Sequence, residues 1–259
     1  MPFLDLDDAS VFWRTDGHPN RPALVLANSL GSDTALWDGV IPRLVQHYHV
    51  IRLDLPGHGA SRLTGSKDEW TVAGLAAHVL KAADAAGASE FDFAGISIGG
   101  MIGLELAAHS SRVKRLIVSN TASTSDPKMW ADRIRTIKAT GLHAAVDATM
   151  QRWFSPGFLK SDTPLLATIR EHFLQVDLRG YTGCSAAIRD LDLQAGLPRI
   201  QAPTLVISGE NDTAMPAGSA QAITRAIPGA RHVELPTYHI PHIEDPAPFI
   251  DAVLAHLRP

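Results

Sequence analysis

A single cysteine, Cys184, stands in 259 residues. One thiol leaves no partner for an internal disulfide, and such sparing use fits a reducing compartment. Nothing beside Cys184 resembles an activating base, so it reads as packing within a helical segment. No run of Lys or Arg stands out either. The 23 basic residues are outnumbered by 27 acidic ones, for a net charge of -4, which argues against nucleic acid or an anionic membrane as partner. No apolar stretch is long enough to span a bilayer. The opening MPFLDLDDAS is acidic and poor in apolar residues, unlike a signal or transit peptide, so the expected location is cytoplasmic. Repeats, low-complexity tracts and linker-like runs are lacking too. What is present is 45% hydrophobic residues, ample for a large core.

Those residues alternate between two patterns. ALVLAN (Ala23 to Asn28), HVIRLDL (His49 to Leu55), FDFAGI (Phe91 to Ile96), VKRLIVSN, APTLVISGEN (Ala202 to Asn211) and ARHVELP (Ala230 to Pro236) read as strands. ALWDGVIPRLVQ, TVAGLAAHVLKAADAAG and IGGMIGLELAAHS have helix-like spacing. Alternation of this kind predicts an α/β fold: a mainly parallel sheet with helices on both faces, entered through an antiparallel lead-in before Phe12. From about Ser125 to about Leu197 no convincing strand occurs. PKMWADRIRTIKATG, LHAAVDATMQRWFS, TPLLATIREHFLQV and GYTGCSAAIRDL read as helices. The expectation is a core domain over 1-124 and 198-259, and a helical cap over 125-197 inserted after the sixth strand.

The sharpest local signal is Gly95-x-Ser97-x-Gly99, between a strand and a helix. That setting puts a serine on a strained turn with its oxygen raised above the sheet, and the glycines let strand and helix pass without side-chain clash. The helix N-terminus also brings N–H groups toward developing negative charge. A serine needs a base, and the base needs an orienting acid; on such an elbow the chain order is serine, acid, histidine. The loop after the first strand beyond the cap, LVISGENDTAMP, offers Asp212, with Glu210 as its nearest rival. The oxyanion donors are expected to be the N–H groups of Ile98, next to the serine, and Leu30, in the loop after the first buried strand.

After the final strand comes PTYHIPHIEDP (Pro236 to Pro246), with His239 and His242 three positions apart and Glu244 close behind. The spacing looks like half a metal site. Paired ligands of that kind normally sit on a helix, and Pro241 lies between these two. Asp245 and Pro246 read as N-cap and first position of the last helix. Both histidines are therefore expected in the loop before it, with no metal.

These motifs resemble the α/β-hydrolase family over nearly the whole chain. NSLG, DLPGHGAS, GISIGGMIG and, in the cap, MWADRI, RWFSP and GYTGCSAAIRDLDL are similar to the 3-oxoadipate enol-lactonases of that family. The resemblance implies hydrolysis of a small lactone or ester through Ser97, Asp212 and His239, without a cofactor. His239 follows from the family register His-x-x-x-x-Glu-x-Pro, which leaves His242 at a variable position. It also implies that Trp130 and Trp153 face the pocket, and it makes Arg133 and Arg152 candidates to meet a substrate carboxylate. His58, in PGHGAS, is implied to be scaffold near the site. A carboxylesterase or another lactonase fits the shared motifs as well, and a ligand receptor on the same fold can keep them. A monomer and a homo-oligomer fit equally.

Overall fold

Leu24, Val25, Leu26 and Ala27 offer no polar face to water, and the chain buries all four inside a parallel sheet. The computed structural model describes residues 2–6 and 8–258. Met1, Asp7 and Pro259, which the expected core domain includes, lie outside them. The chain enters through an antiparallel pair, β1 (Phe3–Leu6) and β2 (Ala9–Asp16). Then come β3 (Ala23–Ala27), β4 (His49–Leu53), the two-residue β5 (Arg62–Leu63), β6 (Phe91–Ile96), β7 (Val113–Ser119), β8 (Thr204–Gly209) and β9 (Arg231–Leu235). Among the described residues they form a nine-stranded sheet in the order β1-β2-β4-β3-β6-β7-β8-β9, with β5 paired to β2. The pairings of β2 are antiparallel, and all those from β4 across to β9 are parallel. β4 and β6 are buried along their whole length, as strands covered on both faces must be.

The buried face of β4 also carries a charge. Arg52 is 1% exposed and pairs with Asp16 at 2.8 Å and Asp38 at 2.6 Å. A buried guanidinium without such partners would be strongly destabilising.

The helical segments differ from expectation: the short helix Pro156–Lys160 is an addition to the four expected in the cap, and two further differences involve a proline. ALWDGVIPRLVQ forms no single helix. It folds as a tight 3-10 turn, Thr34–Trp37, and then the one-turn α1 (Ile41–Leu44). Pro42 lacks the N–H that a continuous helix needs there, so a new turn starts with proline in its first positions. α2 (Val72–Ala85) and α3 (Ile98–His109) are as expected. Five helices lie between β7 and β8: α4 (Pro127–Thr140), α5 (Val146–Trp153), α6 (Pro156–Lys160), α7 (Pro164–Leu174) and α8 (Leu178–Arg189). Without the two-residue β5, β7 is the sixth strand. α9 (Ser219–Ala226) follows β8.

The second difference concerns the paired histidines. Pro241 does not keep His242 in a loop. It opens the single turn α10 (Pro241–Glu244), at a first position where a missing N–H costs nothing. The last helix, α11 (Pro246–Leu257), starts where expected, but the Asp245 side chain makes no capping hydrogen bond.

The inserted helices cover the carboxyl ends of the strands. Tyr181 and Phe173 meet Gly31, just after β3; Gly180 meets Gly57, after β4; and the Trp153 carbonyl reaches the loop after β9.

Candidate active site

Ser97 sits between β6 and α3 at φ 57° and ψ -123°, a conformation that residues with side chains rarely adopt. Its surroundings hold it there. The Ser97 N–H donates to Ser119 O at 3.0 Å, and Thr121 Oγ1 donates to Ser97 O at 2.7 Å. A Cβ on Gly95 would strike Gly99 O, and one on Gly99 would strike Ala27 O. Strand and helix pass this closely only because neither glycine carries a side chain.

β7 and β8 are parallel neighbours, so the loops that leave them lie side by side. Asp212, in the loop after β8, has its Oδ2 2.9 Å from His239 Nδ1, and both side chains are buried. The sequence reading missed Asn120, one residue past β7. Its amide donates to Asp212 Oδ2 at 2.8 Å and to Tyr238 O at 3.1 Å, so one side chain steadies both acid and histidine loop. Only its place at the end of a strand beside β8 hinted at this. Burial alone would raise the Asp212 carboxyl. His239, Asn120 and the Ala214 N–H outweigh burial and hold it below the usual carboxylate range. Glu210, the rival acid, is exposed. Among the described residues Ser97 Oγ makes no hydrogen bond, and Ser97 is buried.

The loop after β3 is pinned by Asn28. Its amide donates to Leu53 O at 2.9 Å and its oxygen accepts from Trp37 Nε1 at 2.9 Å. Gly31 follows at φ 84°, and a Cβ there would lie 2.7 Å from the Phe173 ring. Leu30 and Ile98 are both buried, and among the described residues no acceptor takes the N–H of either.

The two histidines of PTYHIPHIEDP have separate surroundings. His239 faces Asp212. His242 is 1% exposed, stacks on Trp37 with ring centroids 4.2 Å apart, and lies 3.1 Å through Nε2 from Leu36 O. Burial pushes its pKa down to about 3, opposed by the Leu36 carbonyl and reinforced by His239. A variable position in a register is here a core residue. His58 is also fully buried, 3.0 Å through Nδ1 from Pro56 O, and burial lowers its pKa to about 4. Cys184 is buried, and burial raises its thiol, the opposite of an activated nucleophile.

In the cap, Trp130 is buried and Arg133 lies over its ring, 4.9 Å from the centroid. Arg133 donates to Tyr181 Oη at 2.7 Å, and Tyr181 packs against Gly31. Arg152 donates to Thr149 Oγ1 at 3.2 Å. Its pKa is lowered, first by burial and then by the positive charge of Arg133, with Tyr181 opposing. Among the described residues neither arginine has a carboxylate within ion-pair distance. The Trp153 ring is buried, edge-on to Phe173 at 6.2 Å.

The family model of the alpha/beta hydrolase fold matches residues 22–246. The chain is 30% identical to 3-oxoadipate enol-lactonase 2 of Acinetobacter baylyi over 98% of this chain and 96% of that protein. It is 32% identical to the pyrrolizixenacetamide deacetylase of Xenorhabdus hominickii, over 96% of this chain and 95% of that protein. The crystal structure of the enol-lactonase from Burkholderia xenovorans superimposes with a TM-score of 0.94 at 35% identity, covering 99% of each chain.

Proposed function

The chain belongs to the α/β-hydrolase family, and from that premise we propose that it is a 3-oxoadipate enol-lactonase, acting in aromatic compound degradation through the β-ketoadipate pathway. Ser97 Oγ attacks the lactone carbonyl while His239 Nε2 takes its proton. Asp212 holds the imidazole and stabilises its cation. The Leu30 and Ile98 N–H groups receive the oxyanion. As the ring C–O bond breaks, His239 returns its proton to the leaving enolate oxygen, and the enol so formed becomes a ketone, which disfavours reversal. The neutral His239 then takes a proton from water as it attacks the acyl-serine, and returns it to Ser97 Oγ as 3-oxoadipate leaves. The scheme needs no cofactor.

The observation that carries the lactonase reading is the pair Arg133 and Arg152. Both are partly buried, neither has an acidic partner among the described residues, and Tyr181 links Arg133 to the loop of Leu30. Two cations kept this close raise each other's energy, and a substrate carboxylate relieves that cost. Trp130 supplies aromatic surface against Arg133, and Trp153 follows Arg152 at the end of α5. A lactone with a free acetate side chain is therefore expected to be hydrolysed better than its methyl ester. A charge-assisted hydrogen bond contributes about 1.5–3 kcal/mol, or roughly ten- to a hundredfold and more in kcat/KM. The comparison is made on purified protein with freshly generated enol-lactone. Equal values for acid and ester would point instead to a general carboxylesterase, and no turnover of any ester to a binding protein on this fold.

A further inference from the structure

We propose that Glu244 is a positioning residue that locks the histidine loop to the cap, making the cap segment 153–155 a fixed part of the catalytic frame. The proposal rests on the triad reading above. One carboxylate accepts two N–H groups from opposite sides. Glu244 Oε2 accepts from Tyr238, the residue before His239, at 2.8 Å. Glu244 Oε1 accepts from Ser155, in the cap, at 3.0 Å. The same two segments meet again through Trp153, whose carbonyl accepts from the His239 N–H at 3.1 Å and the Ile240 N–H at 3.3 Å.

Local geometry makes this possible. Ile240, at φ -115° and ψ 72°, stays out of the helical region that a following proline disfavours. Pro241 opens the single turn α10, and that turn swings Glu244 back beneath Tyr238. A carboxylate is the only side chain of this length with two acceptor oxygens and no donor. Glutamine would turn an N–H₂ group toward one of the two backbone N–H groups and repel it.

The consequence concerns the base. His239 Nδ1 is aimed at Asp212, and its backbone is held by the cap on one side and by Asn120, through Tyr238 O, on the other. Trp153 belongs to the segment that supplies these bonds and Arg152 directly precedes it in α5, so a substrate held there and the base that serves it share one rigid unit.

The test uses the full chain with p-nitrophenyl acetate and with the enol-lactone. Glu244→Gln is expected to lower kcat about ten- to a hundredfold, with KM within about threefold, because it disturbs alignment and leaves the binding surface in place. Ser155→Pro removes the partner N–H, and φ -62° at that position suits proline. It is measured against Ser155→Ala, so that the lost hydroxyl cap on Phe158 cancels. It should show the same kcat loss, and the Glu244→Gln/Ser155→Pro double variant should fall no further than the worse single. Amide exchange should rise in Glu244→Gln at both Tyr238 and Ser155. A kcat within about twofold of wild type, a rise in KM alone, or single losses that multiply would each overturn the proposal. Should the wild type hydrolyse neither ester, the hydrolase reading fails by itself. Exchange at Tyr238 and Ser155 then decides the seam, and no change in Glu244→Gln overturns it.

Discussion

The serine turn and the histidine loop lie at the same end of the sheet, yet they are held by different parts of the molecule. Among the described residues, the hydrogen bonds that fix Ser97 come from the core: Ser119 and Thr121 hold a turn that glycines 95 and 99 make possible against the backbone of Ala27. His239 is fixed from both sides, by Asp212 and Asn120 of the core and by Trp153 of the cap. A strained backbone needs a stiff neighbourhood, and parallel strands supply one. A histidine that must take and return a proton needs its ring aimed, and aim can be supplied by any rigid neighbour. An inserted cap can thus change without disturbing the serine turn, but not without re-anchoring the histidine loop.

The largest effects should erase the difference between the two regions. Ser97→Ala and His239→Gln are each expected to lower kcat about a thousandfold or more, because in the proposed mechanism nucleophile and base act as one unit. Ser97→Ala should leave the thermal unfolding midpoint unchanged, since it keeps the backbone and deletes one oxygen. Near wild-type turnover by either variant would remove the mechanism on which the contrast rests.

A smaller effect should separate the regions. Gly31→Ala forces a side chain at φ 84° into the Phe173 ring. It is expected to cost about 1–3 kcal/mol in urea unfolding. It should also loosen the cap, raising KM, while the elbow, held by Ser119 and Thr121, stays intact. Unchanged unfolding and kinetics would mean that the cap does not bear on the oxyanion loop.

The smallest effect concerns His242, three residues from His239. Buried His242 stays neutral in the folded chain down to about pH 3, whereas the unfolded chain protonates it below about pH 6.5. The stability that depends on neutral His242 is complete above about pH 6.5 and is lost as the pH falls toward 3. His242→Gln should therefore reduce the slope of unfolding free energy between about pH 5 and about pH 6 by one proton, or about 1.4 kcal/mol per pH unit. Its kcat should stay within about tenfold of wild type. An unchanged slope would show that His242 is already accessible to protons in the folded state.

How much of this was legible depended on distance along the chain. The elbow is a local object: strand, glycine, serine, glycine and helix are contiguous, and their sterics operate over a few residues. Asp212 was preferred over Glu210 on loop position, and the structure pairs Asp212 with His239 and leaves Glu210 exposed. ALWDGVIPRLVQ misled because its spacing is helical while Pro42 breaks the hydrogen-bond ladder, which periodicity does not register. The partners of Asn120, Glu244 and Phe173 were not legible in the sequence. Asn120 joins a loop 118 residues away, and Glu244 a cap segment 89 residues away.

By itself, the sequence determined the alternation of strands and helices, the insertion of helices between two strands and the turn that carries Ser97. Side-chain periodicity and backbone sterics act over neighbouring residues, and their outcome needs no knowledge of the rest of the chain. The family register pointed to His239, and the fold pairs it with Asp212. Only the tertiary structure decided that His242 is buried against Trp37, which was not in the register, because that depends on the turn α10 and on what lies beneath the ring. It also decided that Glu244 joins cap to core. Hydrogen-bond partners are chosen by proximity in space, and strand order together with the inserted helices sets that proximity.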